Sequence, residues 1–321
     1  MVADNHFKYL RFSDFVDLSP LFLITIHCSQ MNKKGLLYGF LCYLIWGLFP
    51  IYWKLLQHVD SIEILSHRML WSCVFMVVVF CGFKHMSIRQ HIKTTKQWFM
   101  LLLTGSLMAF NWGLYIWAIN HHYILESSLG YYINPLLNVL LGTLFLKERL
   151  NKSQLFAILF ALIGVSYFTI DYGRFPVISI ALATSFAIYG LLKKKMGLDA
   201  TPALTVETLW MLPLSLLYIV LLCGKGESAL CTFDIWTYLL LIGAGAVTAV
   251  PLLLFGKAAE RIPLTTLGFL QYISPTGQFL LGVLLYKEAF TTSHLICFGF
   301  IWAGLILFTI DAIRQASKTA K

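Results

Sequence analysis

Ten apolar runs dominate the sequence, near residues 35–56, 62–83, 97–119, 126–146, 154–171, 176–192, 203–223, 235–256, 264–286 and 294–312. Each is continuous for 17 or more residues, and about 20 apolar residues suffice for a helix to cross the hydrocarbon core of a bilayer. None shows the strict alternation of a membrane barrel strand. The fold class expected is therefore an all-α polytopic membrane protein with ten transmembrane helices, whose first partner is the lipid bilayer. Composition agrees. Charged residues make up 12% and apolar residues 59%, whereas a soluble domain carries about 25% charged residues. So few charges cannot cover a water-facing surface. Disorder is excluded by the same figures. Nucleic acid is excluded as a partner, because the +9 charge has no soluble basic face on which to gather.

The charges instead report topology. Assigning loops alternately to the two sides puts 17 Lys and Arg on one side and 4 (Lys54, Arg174, Lys225, Lys287) on the other. The positive-inside rule then places both termini in the cytoplasm, which requires an even number of spans. Residues 1–30 stand apart. Leu18–Cys28 is apolar but too short to span, and Asp4, Asp14 and Asp17 spoil a basic signal leader. Met31-Asn-Lys-Lys-Gly reads as a natural start, so residues 1–30 are expected to be an upstream extension or an interfacial tail. Residues 314–321 form a cytoplasmic tail. The seven cysteines contain no CxxC pair and the nine histidines are scattered, so neither a metal site nor a cofactor is expected.

Shifted by 140 residues, the chain matches itself. Over 132–171 against 272–311 there are 17 identities in 40 positions. They align Tyr132-Ile133-x-Pro135 with Tyr272-Ile273-x-Pro275, Lys147-Glu148 with Lys287-Glu288, Gly164 with Gly304, and Phe168-Thr169-Ile170-Asp171 with Phe308-Thr309-Ile310-Asp311. Shared hydrophobicity supplies matching leucines. It does not align proline, glycine and Lys-Glu in one register. The repeat unit holds five spans, an odd number, so the second copy (176–313) is expected upside down relative to the first (31–171). Such inverted repeats build many secondary transporters.

Several local patterns carry a family likeness: Trp46-Gly47, His67-Arg68-x-x-Trp71, Asn111-Trp112, Ile116-Trp117-Ala118, Ser128–Pro135, Tyr189-Gly190, Thr266–Phe269 and Gln271-Tyr272-Ile273-x-Pro275. The chain resembles a RarD-type permease of the EamA family, in the drug/metabolite transporter superfamily, over residues 31–315. The resemblance implies ten helices in two inverted halves, a bacterial inner membrane, and secondary transport of small organic solutes. Family substrates are poorly defined, and residues 1–30 have no counterpart.

Site candidates follow from polar and aromatic residues placed at depth. Pro135 and Pro275 sit near mid-span, where a proline frees a backbone carbonyl that is useful only if it faces a cavity or another helix. Asn134 and Asn138 flank the first; Gln271, Ser274 and Gln278 flank the second. Matched breaks with polar neighbours point to a central site, and close helix packing is the competing explanation. Asn111 needs a partner in hydrocarbon, through either an interhelical bond or the solute pathway. Trp46, Trp112, Tyr131, Tyr132, Tyr189 and Tyr272 are candidate aromatic walls for a planar solute, or packing and interfacial anchors. Arg68 and Glu207 are the charges farthest inside a span. Span polarity puts Arg68 about 9 Å from the outer face and Glu207 a similar depth from the inner face, at 1.5 Å per residue. They are thus expected at opposite mouths as gate or coupling residues, or else snorkelling, Glu207 towards Lys193–Lys195. Lys147-Glu148, Asp171 and Asp311 are expected to end helices without chemistry.

A secondary transporter working by alternating access is the function these features favour, with no catalytic residues. The alternatives are a membrane enzyme acting on a lipid-linked substrate and a non-transporting scaffold. The first lacks a clustered acidic metal site, and the second lacks a long loop or soluble domain to carry a signal. Proton-coupled antiport, exchange and facilitated diffusion all remain open as modes, and the sequence does not report an oligomeric state.

Overall fold

A computed structural model of the chain describes residues 32–82, 88–121, 123–173, 175–232, 234–285 and 292–319. Expectations about residues 1–30, Arg174, Lys287 and Glu288 lie outside the described residues. Among those described there is no strand, and eight helices are long and apolar enough to cross a membrane. They are α1 (Lys33–Leu55), α2 (Ser61–Gly82), α3 (Thr95–Asn120), α4 (Ile124–Leu146), α5 (Lys152–Tyr172), α6 (Val177–Met196), α7 (Ala200–Gly224) and α8 (Ile235–Arg261). The next apolar stretch is built in pieces: α9 (Leu264–Gln271), α10 (Ile273–Leu280) and a π-helical turn (Leu281–Leu285). The last helix, α11 (Thr292–Thr319), carries a shorter apolar segment, Leu295–Asp311.

Helix ends follow local chemistry. The first N–H groups of a helix lack intrahelical acceptors, and short polar side chains supply them. Asn32 accepts from Gly35 N at the start of α1, and Asp234 accepts from Thr237 N at the start of α8. Asn151 and Gln154 form a reciprocal capping box on α5. Gly173 and Gly197 end α5 and α6 in the left-handed conformation (φ 72° and 57°), where glycine carries no Cβ penalty.

Two stretches differ from the sequence-based spans. Helix α6 runs on to Met196 instead of stopping near 192. Lys193, counted among the loop cations, is helical and buried. The span around 264–286 is interrupted at Tyr272. Pro275 has no N–H for the carbonyl of Gln271, so the helix restarts with Pro275 inside the first turn of α10, where the missing donor costs little. Pro135 produces no such interruption and lies within an unbroken α4.

The helices pack in reciprocal pairs. The ideal Cβ of an alanine at Gly164 (α5) would lie 2.8 Å from Cys297 O and 3.0 Å from Phe300 Cβ of α11. The same atom at Gly304 would lie 2.8 Å from Ala157 O and 3.5 Å from Phe160 Cβ of α5. Those partners are themselves 140 residues apart, so this interface matches position i to j + 140 and j to i + 140, the pattern of a two-fold contact. Other pairings come as mates under the same shift: α1 on α8 with α6 on α3, α2 on α8 with α7 on α3, and α4 on α6 with α9–α10 on α1. Small residues at such crossings allow the close backbone approach that replaces hydrophobic driving force in lipid.

Three carboxylates that the sequence left without chemistry tie helix ends together. Ser293 Oγ donates to Asp171 (2.6 Å), and Asn151 Nδ2 donates to Asp311 (2.6 Å), crossing between α5 and α11 in both directions. Lys147 adopts the left-handed conformation (φ 55°) at the end of α4. Glu148 then turns back and accepts from Leu264 N (2.7 Å) and Thr265 N (2.8 Å). Its negative charge thus caps the positive end of α9, instead of lying free among the headgroups.

Two tests follow. Glu148→Ala leaves two N–H groups without an acceptor and should cost about 1–3 kcal/mol, read as a lower melting temperature of the purified protein in detergent. Gly245→Ala would set a Cβ 2.3 Å from the backbone of Trp71, so α2 and α8 must separate, at a cost of about 1–3 kcal/mol. Gly299→Ala meets nothing within 4 Å and should be neutral or stabilising by up to about 1 kcal/mol.

Candidate functional site

A cavity of about 340 Å³ lies where α1, α2, α3, α4, α6 and the α9–α10 break converge. It extends from the break at Tyr272 towards the end of the bundle where α1 finishes and α2 begins, with Trp53 and Ser61 on its wall. The wall is mainly aromatic: Trp46, Phe49, Trp53, Trp112, Tyr115, Tyr131 and Phe186. Its polar groups are Arg68, Asn111, Asn134, Gln271, Ser274 and Gln278.

The local fold explains how these groups are held. Asn111 Nδ2 donates to Leu182 O (2.8 Å) and Ser185 Oγ (2.9 Å), binding α3 to α6. The two readings of this residue coincide: it makes an interhelical bond and faces the cavity. Asn134 Nδ2 donates to Ala183 O (3.1 Å), tying α4 to α6. Asn138, fully buried, donates to Asn134 Oδ1 (2.9 Å) and Gln271 Oε1 (2.8 Å) and so links α4 to α9. Gln278 Nε2 donates to Trp46 O (3.1 Å) and Ser274 Oγ (3.3 Å), which fixes α10 against α1. Every amide thus satisfies the demand that a polar group in hydrocarbon find a partner.

Arg68 enters from α2. Its Nε donates to Thr248 Oγ1 of α8 (3.1 Å). Its guanidinium carbon lies 4.5 Å from the ring centre of Trp53 and 4.6 Å from that of Trp112, within the range of cation–π attraction. Glu63 does not serve Arg68; it accepts from Ser228 Oγ (2.6 Å) and Ala229 N (2.8 Å) and anchors the connection between α7 and α8.

Beyond the cavity floor the bundle is closed. Trp46, Tyr43, Phe186 and Phe255 form a cluster with ring centres 5.4–6.5 Å apart, and Tyr189 stacks on Phe255 at 5.6 Å. Past this layer stands Glu207. It accepts from Lys193 Nζ (2.9 Å) and from Thr104 Oγ1 (2.6 Å), and all three groups are buried. A small void of about 30 Å³ separates Glu207 from Trp112, which lines both spaces. Thr104 touches Glu207 and Trp112 touches Arg68. These two residues lie two turns apart on α3, about 12 Å of rise. Arg68 and Glu207 therefore do not meet.

The structure gathers Trp46, Arg68, Asn111, Trp112, Tyr131, Asn134, Gln271, Ser274 and Pro275 around the cavity. The remaining candidates lie elsewhere. Tyr132 packs edge-on against Phe298 at 5.3 Å and receives the Tyr272 hydroxyl on its carbonyl (3.3 Å), so both turn away from the cavity. Pro135 is buried behind the wall, its carbonyl against Gly268. Tyr189 belongs to the closing layer. Trp53, Tyr115, Phe186, Thr248, Thr104 and Lys193 were not foreseen as site residues. Trp53 beside Lys54 reads as an interfacial anchor, and a threonine in an apolar run gives no signal at all. Among the described residues no group of His, Cys, Asp and Glu is set to hold a metal.

Comparison with known proteins agrees with this architecture. The model of the EamA-like transporter family matches twice, at residues 33–170 and 176–310. An uncharacterized transporter of Vibrio cholerae is 47% identical, covering 91% of this chain and 98% of its own length. The protein RarD of Escherichia coli K12 is 42% identical over 91% of this chain and 99% of its own. A Pseudomonas aeruginosa protein named chloramphenicol-sensitive protein RarD is 30% identical over 91% and 99%. A solved crystal structure superposes with a TM-score of 0.70 at 18% identity, over 88% of this chain and 99% of that one, a likeness of fold alone. The chain is a multi-pass protein of the bacterial inner membrane, and it belongs to the EamA-like transporter family as a RarD-type permease.

Proposed function

We propose that this permease is a secondary transporter of small organic solutes, in which two inverted five-helix halves (31–171 and 176–313), ten membrane passes in all, alternate the access of one central cavity. One observation carries the reading: the 340 Å³ cavity draws its wall from both halves and reaches towards one end of the bundle, while an aromatic layer and a buried ion pair close the other end. That is the geometry of a solute site caught in one of two access states. The reciprocal α5–α11 contact supports the two-fold relation that alternation between equivalent states requires.

The loop charges supply the direction. With both termini in the cytoplasm, α2 begins at the outer face, so Arg68 and the cavity face outward and Lys193–Glu207 shut the inner side. Opening inward then requires the inner end of α6 to leave α7, and the ion pair is the lock between them. Breaking a buried pair leaves an uncompensated charge, costing about 3–5 kcal/mol. The energy to open the lock must come from contacts made in the other state or from neutralising Glu207. Glu207 is thus the proposed protonation site if a proton is the coupling ion.

Purified protein in proteoliposomes should move organic solutes across the bilayer without converting them, and chemical turnover of a lipid instead would refute the transport reading. Glu207→Gln should alter both the rate of flux and its pH profile. A variant with the wild-type rate and profile would remove the protonation role. Lys193→Met strands Glu207 unpaired and should lower the melting temperature in detergent by the cost of a broken buried pair, about 3–5 kcal/mol.

A further inference from the structure

The charge content of the cavity is one-sided. Among the described residues, Arg68 is the one charged side chain on its wall, and no carboxylate lies within ion-pair distance of it. The nearest carboxylate on its own helix, Glu63, is committed to Ser228 and Ala229. A guanidinium carries five N–H donors. Thr248 takes the one on Nε, and the indoles of Trp53 and Trp112 lie against the cation. The donors on Nη1 and Nη2 have no partner among the described residues. Their fork geometry matches a carboxylate bidentately.

The rest of the wall does not compete for that charge. Asn111, Asn134 and Gln278 spend their N–H groups on carbonyls and hydroxyls of the bundle. What they can offer a solute is carbonyl oxygen, which accepts hydrogen bonds and repels an anion. Within the cavity the anion-binding direction is therefore singular: it points at Arg68. Around that point stand Trp46, Trp53 and Trp112, whose flat faces take a planar apolar body. An unpaired cation inside a membrane protein is costly, and an anionic occupant removes that cost.

We infer that the solute is an organic monoanion with a planar apolar body, its carboxylate held by Arg68 and its rings against the indoles of the cavity. This rests on the transport reading above, which leaves the charge of the solute open.

The test compares two ligands of the same shape. 2-Naphthoate and 2-naphthamide differ in charge alone at neutral pH, and equilibrium dialysis against the full-length protein in detergent measures each. The naphthoate should bind at least tenfold tighter than the amide. Arg68→Gln should bring the two to equal affinity while 2-naphthamide binding stays within about twofold of wild type, which also shows that the variant is folded. Arg68→Lys should keep a reduced preference for the anion. Equal binding of the two ligands by the wild type, tighter binding of the amide, binding of neither, or an undiminished preference in Arg68→Gln would each overturn the inference. Proteoliposome flux separates this failure from that of the transport reading. If neutral solutes move and naphthoate does not bind, the transporter stands and the anion does not. If no solute moves at all, the transport reading falls with it.

Discussion

Helices in a bilayer gain nothing by hiding leucine from lipid, because lipid is as apolar as leucine. Contact between them has to come from surfaces that fit and from polar groups that need one another. The present bundle meets this constraint twice over. Gly164 and Gly304 let α5 and α11 approach until backbone carbonyls touch the facing helix, and Asp171 and Asp311 each bind the start of the opposite helix. Because the two halves share an ancestral pattern, one solution to the packing problem serves both directions of the same interface. The outer faces of these helices, with Phe156, Leu162, Ile170 and Ile306 exposed, are left to lipid.

The same constraint governs polar chemistry deeper in. Asn111, Asn134, Asn138 and Gln278 are all held by groups on other helices. They act as ties between α3, α4, α6, α9, α10 and α1, and the cavity is the space these ties enclose. Charges are treated differently in the two halves. On one side of the aromatic layer Glu207 is matched by Lys193 and Thr104; on the other Arg68 has a hydroxyl and two indoles. A shift of 139 residues aligns Arg68 with Glu207 and Trp71 with Trp210. The two halves have thus kept a charge at the equivalent place while reversing its sign.

Much of this was legible in the sequence, and the reasons are physical. Apolar runs of membrane length identify helices because no other open structure satisfies its backbone in lipid. Asn134, Gln271 and Ser274 were readable because a polar group beside a proline at mid-span has little other use. Trp53 was not, since a tryptophan near a lysine at a run's end is the ordinary mark of an interface. Lys193 was counted with the loop because a lysine after an apolar run normally reaches water. Only the arrival of α7 beside it, carrying Glu207, makes burial affordable. Thr248 and Glu148 could not be read at all: their partners are 180 and 116 residues away, and nothing local marks a threonine or a helix-end glutamate as a contact. Tyr132 and Tyr272 repeat each other in sequence and share a role in packing, which periodicity alone does not distinguish from lining a cavity.

The aromatic wall has one more consequence. The chain holds nine tryptophans, and Trp46, Trp53 and Trp112 stand on the cavity surface. Indole emission shifts with the polarity of its surroundings and is quenched by charged groups in contact with it. Two of these three rings already lie against a guanidinium. Water leaving the cavity, or a solute entering it, changes the environment of these three indoles together. The protein thereby carries an intrinsic optical reporter of its own occupancy, placed on the surface where a solute would rest.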